Sequence, residues 1–281
     1  MKEYDFIFGI GYGCAISQAL RDLGLQRESY PLDWIAAETV LAGPRMIAAD
    51  FADWFNREDL KLWDVRYEGG HVARIYKNIR TGFGFSHEFT NAAPLETSYE
   101  AVKAKYDRRI GRFGEKMLAS KRVLAIYMEL PMRPRPGDAD LREARRLVAE
   151  KYPGREIDLL CFYEDDSCAA AEEAASFDGI AVVKAHYRTM KDGKVHHVAD
   201  RRQIADYLRR GVTVVDAMTE AELRAFAAEK RRKYYESLGR NWLERRVNKK
   251  LTQWYRDLEL YLIGEGLLPG DHATWFFGDG K

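Results

Sequence analysis

The apolar positions of the chain follow two periods. Phe6-Ile7-Phe8 is a short continuous run. After it Ile16, Ala19, Leu20 and Leu23 recur at helical spacing, and Gly24 stands where a helix ends. This predicts a strand over 4–8, a glycine loop and a helix that begins just after Cys14. Asp33 reads as the cap of a second helix over 34–41, Gly43-Pro44 as a break, and Ile47, Phe51, Trp54 and Phe55 as one face of a third helix. Between 62 and 89 the period drops to two, with Gly69-Gly70 and Arg80-Thr81-Gly82 as turns. That predicts a small antiparallel meander. Val102, Tyr106, Ile110, Phe113 and Met117 mark the buried stripe of a long helix behind a Thr97-Ser98-Tyr99-Glu100 capping box.

From 122 onward strands and helices alternate. Strands are predicted at 122–130, 157–163, 179–186 and 212–215. Helices are predicted over 138–152, over the alanine-rich stretch after Asp166 and over 203–210. Alternation of this kind implies an α/β fold with a mainly parallel sheet covered by helices on both faces. The strand at 4–8 joins that sheet, and the meander is an insertion. Thr219-x-x-Glu222 starts a helix, and Leu243, Val247, Leu251, Trp254, Leu258 and Tyr261 line another, a C-terminal helical hairpin suited to homodimer formation. The expected organisation is an α/β catalytic-type domain over 1–217 and a helical appendage over 218–281.

Composition narrows the function. The chain has 281 residues, is 46% hydrophobic and 32% charged, and carries a net charge of +1. Such a balance gives no electrostatic case for binding nucleic acid. No apolar run reaches the length of about 18 residues that a membrane span needs. Cys14, Cys161 and Cys168 have no metal-site spacing, so neither a metal nor a cofactor is expected. Three cysteines without an export signal suit a cytoplasmic, reducing environment.

Candidate chemistry starts at Cys14. A cysteine at the first turn of a helix meets unpaired backbone N–H groups and the positive end of the helix dipole, and both favour the thiolate. The sequence Gly11-Tyr12-Gly13-Cys14, then Leu23-Gly24-Leu25-Gln26-Arg27 and Pro31-Leu32-Asp33-Trp34, resembles the opening of an uncharacterised bacterial family of predicted papain-like cysteine peptidases. Phe83-Gly84-Phe85-Ser86-His87-Glu88-Phe89 is similar to that family's Phe-x-His-Asp-Phe segment, with Glu88 in place of Asp. Tyr106-Asp107-Arg108-Arg109-Ile110-Gly111-Arg112-Phe113 is similar to its Tyr-x-Arg-Arg-Ile-x-Arg-Phe helix. The resemblance covers about the first 130 residues. It implies a thiol-dependent hydrolase or acyltransferase acting on a small-molecule, glycan or peptide substrate.

A cysteine nucleophile needs a base and a group to orient that base. His87 with Asp33 meets that need inside the family-like segments, and His186 with Asp200 is the alternative. Two other readings remain open. Gly11 and Gly13 with Arg108, Arg109 and Arg112 can hold phosphate, as a transferase for a phosphorylated or nucleotide-linked sugar requires. The C-terminal helices can make the chain a non-enzymatic binding module.

Overall fold

The structure, a computed structural model, describes residues 2–11, 14–37, 39–68, 71–90, 94–129, 135–187, 189–191, 194–196 and 202–237. In chain order the elements are β1 (Lys2–Tyr4), β2 (Phe6–Gly9), α1 (Ala15–Asp22), β3 (Ile35–Ala36), α2 (Ala42–Ala48), β4 (Leu60–Glu68), β5 (His71–Asn78), β6 (Gly84–Thr90) and α3 (Leu95–Ala119). Then follow β7 (Arg122–Met128), α4 (Asp138–Lys151), β8 (Glu156–Glu164), β9 (Glu172–Phe177), β10 (Ile180–Ala185), β11 (Thr189–Lys191), β12 (Lys194–His196), α5 (Arg202–Gly211), β13 (Val212–Val214) and α6 (Glu220–Ser237).

The fold is α/β. Strands β2, β7, β8 and β10 pair in parallel, and β9 closes the edge antiparallel, in the order β2-β7-β8-β10-β9. Side-chain alternation along β7 divides two cores. Val123, Ala125 and Tyr127 pack with Phe113 and Met117 of α3 and Leu141, Ala144 and Val148 of α4. Leu124, Ile126 and Met128 pack with Ile16 and Leu20 of α1 and with Ile204 and Leu208 of α5. The expected meander is a separate antiparallel sheet, ordered β3-β6-β5-β4. Tyr106 of α3, fully buried, stacks on Phe55 at 5.2 Å and meets Phe85 edge-on at 5.5 Å, which locks α3 against that sheet. Among the described residues no helix is long and apolar enough to cross a membrane.

Five local expectations are corrected. The helix expected through Ile47, Phe51, Trp54 and Phe55 stops at Ala48, and the chain continues in turns with Asp50, Phe51 and Asp53 at positive φ. α3 starts at Leu95 behind Pro94, so Thr97 to Glu100 lie within the helix and form no capping box. Residues 34–41 do not form a helix. Asp33 accepts the Tyr30 N–H in a turn, and the chain passes into β3. Gly43-Pro44 does not break the chain but lies in the first turn of α2, where proline's missing N–H costs nothing. The alanine-rich stretch holds the exposed edge strand β9 rather than a helix. It folds back through Asp178 and Gly179, both at positive φ, which is the geometry of a tight hairpin turn. At α6 the capping box is present: Thr219 N donates to Glu222 Oε2 at 2.8 Å, and Glu222 N donates to Thr219 Oγ1 at 3.3 Å. The rest of the C-terminal hairpin lies outside the described residues.

Candidate functional site

Cys14 is the N-cap residue of α1 and is half-buried. Its carbonyl already accepts Gln18 N–H at 2.8 Å, while its side chain makes no capping bond. The first turn of α1 carries no acidic residue, so the positive end of the helix is not offset locally. Gly11 reaches this helix at φ +86°, with Ala37 3.4 Å from where a Cβ would stand. Positive φ and the close approach of the segment after β3 account for that glycine without a ligand. Gly13 lies outside the described residues.

One turn along α1 from Cys14, Ser17 Oγ donates to Asp33 O at 2.8 Å and to Asp33 Oδ1 at 3.1 Å. The other carboxylate oxygen of Asp33 accepts Tyr30 N–H at 2.7 Å and Gln26 Nε2 at 2.5 Å. Asp33 is fully buried, and burial pushes its carboxyl up to about 6. The bonds from Tyr30, Gln26 and Ser17 and the charge of Arg109 work in the opposite direction. Asp33 therefore ties the 26–33 loop to the helix that starts at Cys14.

His87 lies on a bulge. The β5–β6 ladder pairs Tyr76 with Phe85 and Arg74 with Phe89, so Ser86, His87 and Glu88 together face Ile75. Phe85 and Phe89 are fully buried, His87 is exposed, and the Glu88 side chain is 4% exposed. A bulge re-aims side chains in this way, against the two-residue alternation of a regular strand. Because β3 pairs antiparallel to β6 through Ile35 and Phe85, Asp33 and His87 leave that ladder at the same end. The described hydrogen bonds of the Asp33 carboxylate go to Ser17, Gln26 and Tyr30.

The three arginines of α3 do not converge. Arg108 is exposed. Arg112 Nη1 bonds Glu28 Oε1 at 2.7 Å on the 26–33 loop. The Arg109 side chain is 12% exposed and packs over the Tyr106 ring, with Nη1 3.8 Å from Glu88 Oε1. Glu88 also accepts from Lys105 and, at 3.0 Å, from the Tyr106 hydroxyl.

His186 stands elsewhere, at the carboxyl end of β10. Its Nδ1 is 2.8 Å from Glu164 Oε1, and Glu164 Oε2 accepts Tyr187 N–H at 2.9 Å. Gln203 Oε1 accepts the backbone N–H of His186 at 2.9 Å. Asp200, its expected partner, lies outside the described residues, and the carboxylate beside the His186 ring is that of Glu164. Sequence spacing could not reveal this contact, because it arises from the parallel register that sets Ala185 beside Glu164. Ser17 could have been found, since it lies three residues after Cys14 on the same helix face. Among the described residues no group of three or more His, Cys, Asp or Glu is placed to hold a metal.

An uncharacterised protein of Acanthamoeba polyphaga mimivirus is 27% identical over 143 residues, which cover 46% of this chain and 64% of the viral protein. The chain thus spans just under two thirds of that relative's length. No solved structure matches the chain. Residues 5–158, more than half of the chain, match the family described as "Putative papain-like cysteine peptidase", and the protein belongs to that family.

Proposed function

We propose that the protein is a thiol-dependent hydrolase or acyltransferase with Cys14 as its nucleophile. The observation that carries the reading is Cys14 itself. It is half-buried at the N-terminus of α1, one turn from the Ser17–Asp33 contact. Family membership supports the same chemistry. His87 takes the thiol proton, and the thiolate adds to the substrate carbonyl. The resulting oxyanion faces the backbone N–H groups at the start of α1. His87 then returns the proton to the leaving group, and water or a second nucleophile releases the acyl group. Asp33 acts as a positioning residue, holding α1 and the 26–33 loop at the end of the sheet where His87 emerges. The transferase reading loses its phosphate clamp, because Arg108, Arg109 and Arg112 face three different surroundings.

A second reading gives the proton transfer to His186, and one observation favours it. Glu164 fixes the His186 ring through Nδ1, which leaves Nε2 as the working nitrogen.

The pH dependence of Cys14 alkylation by iodoacetamide, read on its own peptide by mass spectrometry, tests both. The expected apparent pKa lies below about 7. His87→Ala raises it toward the ordinary thiol value of about 8.5, and His186→Ala does not. An effect of His186→Ala alone moves the base to His186. A wild-type value of about 8.5 sinks the nucleophile. Cys14→Ala abolishes turnover of any substrate found.

A further inference from the structure

We propose that the chain carries a second binding site, at the amino end of the parallel sheet, for a small organic amine. Cys14 follows the carboxyl end of β2, so this site stands apart from the thiol and does not depend on its reading.

Between the starts of β8 and β10, the edge strand β9 and the last turns of α5 lies a cavity of about 260 Å³. Its wall is apolar where Leu124, Leu160, Ile180 and Val212 line it. Drug-sized ligands take pockets of about 300–1,000 Å³, so the occupant here is small. Asp158 lines one end, its side chain 7% exposed. Its Oδ2 accepts the Tyr4 hydroxyl at 2.7 Å and the Lys2 ammonium, and these contacts tie β1 to the sheet. They account for one oxygen. No hydrogen bond among the described residues reaches Oδ1. A carboxylate oxygen buried to this degree calls for a donor.

A bulge brings a second carboxylate to the cavity. β9 pairs Ala175 with Val182 and Glu173 with Val183, which leaves Ala174 as the extra residue. Strict alternation would set Glu173 on the face of Ala175. The bulge turns it to the face of Ser176, where both line the cavity together with Tyr207 of α5. Asp158 precedes the Leu159–Ile180 pair whereas Glu173 sits opposite Val183, so the two carboxylates enter from different ends. Glu173 has no ion pair or hydrogen bond among the described residues. Lys2 is the one cation among the described lining residues, and it is already held by Asp158 and, at 3.2 Å, by Glu156. The unspent charge is therefore negative, set around an apolar wall. An ammonium group on a short apolar chain complements it, and an anion of the same size is repelled.

The test is an NMR titration of the full, methyl-labelled chain with n-hexylammonium, 1-hexanol and hexanoate, which share an apolar chain and differ in charge. The methyl signals of Leu160 and Ala181, which line the cavity, are expected to shift to saturation with hexylammonium at a Kd on the order of 1 mM. 1-Hexanol should bind about ten-fold more weakly, and hexanoate more weakly still. Glu173→Gln should cost the amine about three-fold and the alcohol nothing. Asp158→Asn should cost the amine about ten-fold. Ser176→Phe puts a ring over the cavity from an exposed edge position and should abolish the shifts with both ligands. If Asp158→Asn does not fold, Glu173→Gln and Ser176→Phe carry the test. The proposal is overturned if hexylammonium gives no saturable shift, if hexanoate binds as tightly, or if the amine keeps its affinity in Glu173→Gln or in Ser176→Phe. None of these results bears on Cys14, whose alkylation is read separately.

Discussion

Gly43→Ala is expected to destabilise the protein by about 3 kcal/mol or more, although it replaces glycine with a better helix former. Helix propensity alone predicts a gain of up to about 1 kcal/mol. Packing reverses the sign. A Cβ at position 43 would stand 2.1 Å from the Ile10 carbonyl oxygen, 2.9 Å from its carbon and 3.0 Å from Leu32 Cδ1. Two of these atoms are backbone, and they belong to the segment between β2 and Cys14. That segment cannot yield by a rotamer change, because Ile10 N–H is itself bonded to Ile126 O at 2.9 Å in the sheet. The expected fall in melting temperature is about 6–12 °C. Because relief of the clash pushes on the chain four residues before Cys14, thiol labelling should weaken in the fraction that still folds. Gly111→Ala and Gly114→Ala on α3 are the controls, since a Cβ at either meets nothing within 4 Å. They should be neutral or stabilising by up to about 1 kcal/mol. If Gly43→Ala stabilises as much as they do, the close contact of α2 with Ile10 is wrong.

The part of the fold that could be read from the sequence is the part with strong periods. β7, β8 and β10 bury almost every residue, and α3 repeats its apolar stripe over six turns, so packing and propensity agree there. β9 was misread because it carries no core face. All of its residues but Phe177 are exposed, its alanines favour helix, and only pairing to β10 makes it a strand. Residues 34–41 failed for a related reason. The short ladder Ile35–Phe85 and Ala36–Gly84 is a long-range pairing that no local pattern announces.

At the site, the position of Cys14 at a strand-to-helix junction was legible, as was the family segment around His87. The bulge was not. Alternation places His87 on the same face as Phe85 and Phe89, whereas the extra residues expose it and bury Glu88 instead. Charged residues beside a histidine give no sign of which of them is buried.

Asp33 should make the folded chain less stable as the pH rises, the reverse of a carboxylate held in an ordinary surface ion pair. The sign follows from burial. In the folded protein Asp33 keeps its proton up to about 6, against 3.8 for the unperturbed group. Between those values the folded state holds more protons than the unfolded one, so stability is highest below about pH 4, falls across that interval and levels off above about pH 6. The size follows from the same interval, about 3 kcal/mol for a shift from 3.8 to about 6. Asp33→Asn keeps one acceptor for Tyr30 N–H or Ser17 and cannot ionise. Urea unfolding of both proteins from pH 4 to 7.5 isolates the effect, because other titrating groups largely cancel in the difference. Relative to wild type, Asp33→Asn should gain about 3 kcal/mol across that range. A difference that moves in the opposite direction would mean that the bonds from Tyr30, Gln26 and Ser17, with the charge of Arg109, outweigh burial. A buried carboxylate that stays ionised at neutral pH at such a cost is poorly explained by folding alone. Uncharged Asn could close the same turn, so the charge at position 33 is better explained by what it does to the helix start at Cys14. If so, Asp33→Asn yields a more stable protein whose Cys14 is slower to alkylate at neutral pH. A variant that gains stability and keeps the wild-type labelling rate would separate Asp33 from the thiol altogether.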